Sequence, residues 1–415
     1  MLLIVYSFLM CYFHCVLYTS SLRFAYSYCH ASSVCMMICV LFSLHVQAYA
    51  NNQHKIAVEM LTNPFLKAMS ICEGTVSILD AGCVVYSRIW CIFELFKSVM
   101  GDNSNYEFDI YTEIDTDIDG DKGAVGITHG YTSSDYGTSS IKKKRESEFP
   151  LDRILQASNV DVKQAQASVE SDRKIILNMI TGLSEDDAVV NDHDKYDELN
   201  NILRGIFVTP VLERIIREED VDTITRCLDI VKASNSRIID LDLKDCSKFD
   251  DDILIKLADS LPLTLTEFTL ESSGSAVTVN GMNTCLGKIV GCPQLVKLNL
   301  EFNNIDDNGA KHIADALKVN DSLEELILSY NKISDDGAMP ITDALISNHS
   351  LKTLILNYNK ISYDGAKMIA VGLNVNHSLE SLYLYNNSLD ADGKEYLSKR
   401  KQELKDINRY INVYW

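Results

Sequence analysis

Leucine and polar positions alternate in a register that recurs along the last third of the chain. Four segments begin at Leu295, Leu323, Leu351 and Leu379, each 28 residues after the previous one. Each opens L-x-x-L-x-L-x-x-N, with an aliphatic residue two places after the asparagine and a glycine at one further fixed offset. Registers as exact as these indicate an array of structural repeats.

The physical chemistry of one unit explains why these positions recur. Leu326 and Leu328 are two residues apart, so they lie on one face of a short strand. Ile341 and Leu345, four residues apart, form a helical stripe that packs back onto that strand. Gly337 is predicted to lie just before the helix, where a side chain would crowd the bend. Because one unit cannot bury both of its faces, neighbouring units must stack into a solenoid.

Two degenerate copies of the repeat precede the four exact ones. The first is Ile238, Leu241, Leu243 and Cys246, and the second is Leu265, Phe268 and Leu270. A charged helix near Leu397–Leu404 is predicted to end the last unit. The repeat domain is therefore predicted to span 237–415, with about six repeats.

The 28-residue spacing and the L-x-x-L-x-L-x-x-N pattern resemble the ribonuclease-inhibitor type of leucine-rich repeat over Leu295–Leu397. The resemblance implies a curved solenoid whose strands line a concave face, and it implies that this face binds a protein partner. The predicted partner-binding residues are Asn299, Ile327, Tyr330, Ile355, Tyr358, Tyr383 and Tyr385. A row of exposed apolar residues can be a docking surface, or it can simply reflect the preference of Ile and Tyr for strands.

Residues 1–50 carry a single formal charge, at Arg23. Two apolar runs, Leu2–Leu17 and Val34–Ala50, come close to the length that spans a bilayer. Three interpretations of this leader stay open: a signal or membrane anchor, a buried piece of the next domain, and a mispredicted gene start. A membrane is a predicted partner only under the first.

Residues 51–112 have the pattern of a small α/β module. Gly74–Leu79 is an apolar run typical of a strand, and Tyr106–Tyr111 is predicted to form a second strand. Between them, aromatic and aliphatic residues at helical spacing predict a helix with Ser87 as its N-cap. Strand, helix and strand in this order favour a parallel sheet.

One carboxylate, Glu94, lies in this otherwise apolar helix, either on its exposed edge or in a cleft that raises its pKa. The segment resembles the Y-A-S-S-x-W-C-L-x-E-L stretch of plant-type Toll/interleukin-1-receptor (TIR) domains. The matching residues are Tyr86, Ser87, Trp90, Cys91 and Leu95. Glu94 aligns with the catalytic glutamate of NAD-cleaving members of that family. The resemblance therefore implies that this module cleaves NAD with Glu94 as the catalytic residue. The charged loop of the family's first strand is not recognisable before residue 51.

Two segments connect this module to the repeats. Residues 113–148 are rich in Gly, Ser, Thr and Asp and are predicted to be an acidic flexible linker. Asp115–Gly120 resembles the start of a calcium loop, but the twelfth position is Gly126 instead of glutamate, so no metal site is predicted. Apolar residues at helical spacing over 149–236 predict a helical connector that caps the array.

Composition limits the cellular location and the classes of partner that can be predicted for the protein. A net charge of −20 argues against a nucleic-acid partner, which would require a basic face. The twelve cysteines fit neither zinc-ligand spacing nor a short disulfide framework, so a cytoplasmic location is predicted, with membrane anchoring through 1–50 as the alternative. Four N-x-S sequences begin at Asn320, Asn348, Asn376 and Asn386, and they matter for glycosylation only in a secreted protein.

The predicted fold class is α/β: a leucine-rich-repeat solenoid preceded by a partial TIR-like module and a helical connector. Two functions remain open. The first is a non-catalytic recognition protein without a cofactor, which binds a protein on its concave face, in a signalling role. The alternative is an NAD glycohydrolase in which Glu94 is catalytic, NAD is the substrate and the solenoid is the sensor.

Overall fold

The structure is a computed structural model that describes residues 74–80, 82–99, 107–115, 122–128, 146, 148–167, 170–184, 187–234, 238, 240–244, 246, 248–271, 276–406 and 410–415. The leader of residues 1–50 lies outside these ranges. The chain forms two compact units, Met1–Val211 and Leu212–Trp415, and the boundary falls within the segment predicted as a connector. Within the described ranges, no helix has both the length and the apolar composition needed to cross a bilayer.

A three-stranded sheet lies in the first unit. Its strands β1 (Gly74–Leu79) and β2 (Glu107–Asp115) pair in parallel, and the helix α1 (Ile89–Val99) lies between them in the chain. This is the parallel pairing that the strand–helix–strand order predicts. A 3-10 turn at Val84–Ser87 comes before α1, so Ser87 ends that turn and does not cap the helix directly.

The third strand, β3 (Lys122–Thr128), corrects the sequence prediction of a flexible acidic linker over 113–148. It pairs antiparallel with β2 and buries its central residues. Gly126 faces Tyr111 on β2, and a Cβ at this position would lie 2.7 Å from a carbon of the tyrosine ring. The glycine therefore makes room for a ring inside a sheet, whereas the sequence pattern treats it as a mark of a loop.

Helices complete the described part of the first unit. They are α2 (Leu151–Ala157), α3 (Glu170–Thr181) and α4 (Asp194–Val208), with 3-10 turns at Val162–Gln164 and Thr209–Val211. Arg153 on α2 donates hydrogen bonds to the Thr112 hydroxyl and, at 2.6 Å, to the Glu113 carbonyl of β2. The Ile89 N–H at the start of α1 donates to the Gln166 carbonyl at 2.9 Å. The first bonds join α2 to the sheet, and the last joins α1 to the segment that follows the 3-10 turn at Val162–Gln164.

The second unit begins with two helices, α5 (Leu212–Glu218) and α6 (Val221–Ser234), and continues as strand–helix pairs. The strands are β4 (Asp240–Leu243), β5 (Glu267–Leu270), β6 (Lys297–Asn299), β7 (Glu325–Ile327), β8 (Thr353–Ile355) and β9 (Ser381–Tyr383). The helices that follow them are α7 (Asp251–Ser260), α8 (Val279–Val290), α9 (Asp307–Leu317), α10 (Asp335–Ser347), α11 (Tyr363–Gly372) and α12 (Ala391–Asp406).

A final strand, β10 (Asn412–Tyr414), follows α12 and pairs with β9. The sequence pattern, which ends the array in a charged helix, does not predict this strand. It completes a seven-stranded parallel sheet in the order β10-β9-β8-β7-β6-β5-β4. Because β10 has three residues, its pairing depends on the edge that β9 offers and leaves little trace in the local sequence.

The leucines of the repeat pattern fill the space between the sheet and the helices. In the unit of β7 and α10, the fully buried leucines and isoleucines are Leu323, Leu326, Leu328, Ile333, Ile341 and Leu345. The strands β6 to β9 each alternate half-exposed, buried and half-exposed residues. One face of the sheet is therefore covered by the helices. We call the other face, which the half-exposed residues line, the open face.

The repeat glycine acts inside the helix and not before it. Gly337 is in the first turn of α10, where a Cβ would lie 2.5 Å from Oδ1 of Asp307 in the preceding repeat. The same Cβ would lie 2.9 Å from Cγ2 of Ile333. The glycine thus allows the starts of adjacent helices to approach closely, which corrects the predicted role at the bend.

Asparagines at the strand ends link each repeat to the one before it. The Asn331 amide donates to the Leu300 carbonyl at 2.9 Å, and its Oδ1 accepts from the Ile305 N–H at 2.8 Å. Both partners belong to the preceding repeat. Asn359 and Asn387 make equivalent bonds one and two repeats later. We call this series the strand-end ladder.

A second series, the helix-end ladder, is formed by the buried asparagines of three N-x-S sequences. The Asn348 amide donates to the Leu317 and Asn320 carbonyls of the preceding repeat at 2.9 and 2.8 Å. Its Oδ1 accepts from the Ser350 and Leu351 N–H groups at 3.1 and 2.9 Å. The equivalent residues are Asn320 and Asn376, whereas Asn386 is exposed. Three of the four sequences are therefore structural motifs whose amides lie inside the array.

Carboxylates form a third series at the helix starts. Asp307 accepts hydrogen bonds from the Ser334 N–H and hydroxyl of the next repeat, both at 2.7 Å. Asp335 makes the same pair of bonds with Ser362. An anionic group is also favoured here by the partial positive charge of a helix N-terminus. Strand ends, helix ends and helix starts are thus each joined from repeat to repeat.

The variant Asn348→Ala should lower the free energy of unfolding by about 3–5 kcal/mol, because it removes the partner of several buried backbone groups in the helix-end ladder. Urea denaturation of the full chain, followed by circular dichroism, measures the change. The matched control Asn308→Ala removes an exposed asparagine on α9 and should change stability by less than about 0.5 kcal/mol. Equal denaturation curves for the two variants would contradict the role of the ladder.

Candidate protein-binding surface

A row of side chains crosses the open face of the repeat sheet. Strand pairing places Asn299, Ile327, Ile355 and Tyr383 beside one another on β6 to β9, and β10 adds Tyr414 next to Tyr383. All five are half-exposed. The rings of Tyr383 and Tyr414 are stacked, with centroids 4.6 Å apart. We call these residues the open-face row, which is apolar and continuous from Ile327 to Tyr414.

Three aromatic rings form a stack just beyond the carboxyl ends of β6, β7 and β8. The ring centroids of Phe302 and Tyr330 are 4.2 Å apart, and those of Tyr330 and Tyr358 are 4.0 Å apart. The three residues keep 37%, 38% and 44% of their surface exposed. We call this stack the aromatic column. The column is therefore a contiguous exposed aromatic patch, which is the kind of surface that can dock a partner.

The backbone holds the rings of the column in place. Phe302, Tyr330 and Tyr358 have φ values of 60°, 52° and 54°, in the left-handed region. That conformation costs a residue with a side chain about 1–2 kcal/mol. Each of the three N–H groups donates to a carbonyl of the next repeat, for example Tyr330 to Asn357 at 3.0 Å. Asn386 takes the same position one repeat later, with a φ of 55°, so the column ends at Tyr358.

Hydroxyl and carboxyl groups beside the column influence one another. A hydrogen bond to the Tyr358 hydroxyl raises the pKa of Tyr330, and partial desolvation and the nearby Glu301 act in the same direction. Burial raises the pKa of Glu301, and Glu271 raises it further, while Lys244 opposes the shift. The Phe302 end of the column therefore lies in a region of negative potential.

Negative charge continues over the first strands of the open face. The carboxylates there are Asp240, Asp242, Glu267, Glu271 and Glu301. The basic residues among them are engaged: Lys244 pairs with Asp242 at 3.4 Å, and Lys297 pairs with Glu325 at 3.4 Å. The open face is thus acidic over β4 and β5 and apolar over β7 to β10.

Aromatic residues also stabilise the last strand, β10, at the end of the array. Lys401 on α12 donates to the Val413 carbonyl at 3.3 Å, and its ammonium lies 5.7 Å from the ring centroid of Tyr414. The same ammonium lies 5.9 Å from the Trp415 ring. The Tyr385 ring is 6.2 Å from that of Tyr414 and is exposed. Cation–π contacts of this kind hold β10 against the end of the array.

The seven residues predicted to bind a partner lie in two adjoining places. The structure brings Asn299, Ile327, Ile355 and Tyr383 into the open-face row and Tyr330 and Tyr358 into the column, and it places Tyr385 beside Tyr414 at the end of the row. Sequence reasoning missed Phe302 and Tyr414. Phe302 comes directly before Asn303, as Tyr330 comes before Asn331, so the repeat register could have found it. Tyr414 requires knowledge of β10.

The predicted catalytic residue, Glu94, lies in α1 between Phe93 and Leu95, and its side chain is outside the described part of the structure. Three residues of its motif are buried: Cys91, Leu95 and Tyr86, and the Tyr86 hydroxyl lies 2.7 Å from the Ser77 hydroxyl. Among the residues that the structure describes, no group of three or more His, Cys, Asp or Glu side chains could hold a metal ion.

Comparison with known proteins identifies repeats in the second unit. The family model for the leucine-rich repeat matches residues 291–314, 319–341 and 347–370, which contain β6, β7 and β8. No curated protein matches the chain. Among solved structures, actin-binding site 2 of leiomodin-1 is 18% identical over 46% of this chain and 94% of that chain, with a TM-score of 0.28. The chain therefore contains a C-terminal leucine-rich-repeat region, and the aromatic column lies within it.

The variant Tyr358→Phe should lower the pKa of Tyr330, because it removes the hydroxyl that stabilises the neutral Tyr330 phenol. A pH titration followed by NMR of ¹³Cζ-labelled tyrosine measures this pKa. The control Tyr410→Phe changes an exposed tyrosine outside the column and should leave Tyr330 unchanged. An unaltered Tyr330 titration in Tyr358→Phe would refute the contact between the two hydroxyls.

Proposed function

We propose that this protein is a non-catalytic recognition protein that binds a protein partner on the open face of its leucine-rich-repeat region. The observation that carries the proposal is the aromatic column next to the open-face row. Because the column is already ordered by stacking and by backbone hydrogen bonds, binding would immobilise few additional rotamers. Tyrosine combines a large apolar surface with a polar tip and is enriched among residues that dominate binding energy.

The size of the surface also supports the proposal. The open-face row crosses five strands, from Asn299 on β6 to Tyr414 on β10, which at about 4.8 Å per strand gives about 19 Å. The column runs parallel to most of this row. A stable protein interface needs about 800 Å² on each partner, so the row and the column would form the apolar centre of such an interface and the charged residues beside them its rim.

The proposal includes finer features that extend beyond the family match. We assign the repeats to the ribonuclease-inhibitor type on their 28-residue spacing, and about six strand–helix pairs support a longer array than the three matched stretches. A signalling role in the cytoplasm is part of the proposal. The side chains of Asn320, Asn348 and Asn376 are buried, so these N-x-S sequences do not argue for secretion.

The double variant Ile355→Asp/Tyr383→Ala should reduce partner capture at least tenfold, because it places a charge and a gap in the centre of the open-face row. Tagged full-length protein is expressed in cells, and the captured proteins are quantified by mass spectrometry. The control is Val319→Asp, which adds the same charge at an exposed position in the turn after α9, outside the open face. If both variants capture the same proteins in the same amounts, the open-face row is not the binding site.

A second candidate function is cleavage of NAD by a TIR-like module. The specific observation that favours it is the parallel β1–α1–β2 arrangement, in which α1 carries the motif. Burial of Cys91 and Leu95 would fix the orientation of the helix on which Glu94 lies. NAD would be a substrate in this function and not a resident cofactor.

The variant Glu94→Gln should abolish nicotinamide release by the full-length protein if the second candidate is right, because the amide cannot act as a catalytic carboxylate. Release from NAD is measured by chromatography. The matched control Glu148→Gln alters an exposed glutamate away from the motif and should leave the rate unchanged. Wild-type protein that releases no nicotinamide would remove this candidate and leave the recognition function untouched.

A further inference from the structure

We infer that the aromatic column and the carboxylates at its Phe302 end bind a positively charged segment of the partner, in which an arginine or lysine is followed by an apolar residue. This inference rests on the proposed function and names the chemistry of its partner. It commits to a basic protein segment, since the net charge of −20 and the acidic first strands would repel nucleic acid and an anionic membrane surface.

The carboxylates give the first argument. Glu301 is half-buried and lies near Glu271, and both burial and that neighbour raise its pKa. Two close carboxylates repel each other, so a cation placed beside them relieves the repulsion. Lys244 is the basic residue that acts on Glu301, but its ammonium is already paired with Asp242 at 3.4 Å. A cation from another molecule placed at Glu301 would therefore complement the negative charge at this end of the column.

The column gives the second argument. Guanidinium groups and the aliphatic stems of lysine and arginine pack well on aromatic surfaces, with the charged end left free for a carboxylate. Glu301 is close enough to Tyr330 to influence the pKa of its phenol, so the ring surface and the negative charge lie side by side. The stacked rings, 4.0–4.2 Å apart, form a continuous support for such a stem.

The opposite end of the surface sets the length of the segment. Glu301 follows β6 and Tyr385 follows β9, so three strand separations, or about 14 Å, lie between them. An extended chain advances about 3.3 Å per residue, so about four residues cover this distance. Residues four apart also lie on the same side of an extended chain. The basic and the apolar side chain should therefore be about four positions apart.

A peptide selection tests this inference with the full-length protein. A phage library of random 12-residue peptides is selected on the immobilised protein, and enriched peptides are synthesised for affinity measurement by fluorescence anisotropy. We expect arginine or lysine about four positions from an aromatic or aliphatic residue, and affinities that fall as salt rises. Replacement of the peptide's arginine by citrulline should weaken binding about tenfold, since it removes the charge and keeps the shape.

Three variants of the protein locate the binding site. Glu301→Gln, which removes only a charge, should lower the affinity for the selected peptides at least fivefold. Tyr330→Ala, which removes the middle ring of the column, should lower it at least tenfold. Glu395→Gln removes an exposed carboxylate on α12, away from the open face, and should change affinity less than twofold. Circular dichroism of each variant checks that it is folded.

The outcomes separate this inference from the proposed function. The inference is overturned if no peptide is enriched, if the enriched peptides lack a basic residue, or if Glu301→Gln and Tyr330→Ala bind them like wild type. The proposed function still stands in each of these cases if Ile355→Asp/Tyr383→Ala loses its captured proteins. If that double variant keeps them as well, both fail.

Discussion

The backbone groups at the ends of each strand and helix can be satisfied only by the neighbouring repeat, and the second unit depends on this constraint. Asn331 joins two strand ends through its amide, and Asn348 joins two helix ends in the same way. A buried backbone group without a partner costs about 1–3 kcal/mol, so one repeat alone would not be stable. The asparagines therefore hold the repeats together more specifically than the leucines, which would tolerate a shifted register.

The two asparagine ladders also determine how side chains line up on the open face. Because each bond joins equivalent positions, a side chain in one repeat lies directly beside its counterpart in the next. Tyr330 stacks on Tyr358, and Ile327 pairs with Ile355, for this reason. The turn that brings the strand-end asparagine inward places the preceding residue in the left-handed region. The exposed rings are a consequence of the same geometry that satisfies the core.

The sequence predicts the structure well where residues recur with a fixed period. It predicts the structure poorly where a segment is ordered by contacts with a distant part of the chain. The leucines, the asparagines and the open-face residues all follow from a 28-residue register. The prediction of a linker over 113–148 misses β3, because the reason for Gly126 on that strand is the Tyr111 ring on another strand. Tyr414 was missed because three residues of β10 acquire their structure from β9 and from Lys401. Interactions between distant segments decide these cases, and a local pattern does not record them.

The unequal ends of the open face give a bound segment a direction. A chain with a basic residue at one end and an apolar residue at the other matches Glu301 and Tyr385 in one orientation only. In the reverse orientation the cation would lie against the apolar row and the apolar side chain would cover the Glu301 carboxylate, so both charged groups would lose water without forming an ion pair with each other. Discrimination between orientations then arises from the penalty of the wrong one. A uniformly apolar sheet face would bind both orientations equally well, so it could not select one of them.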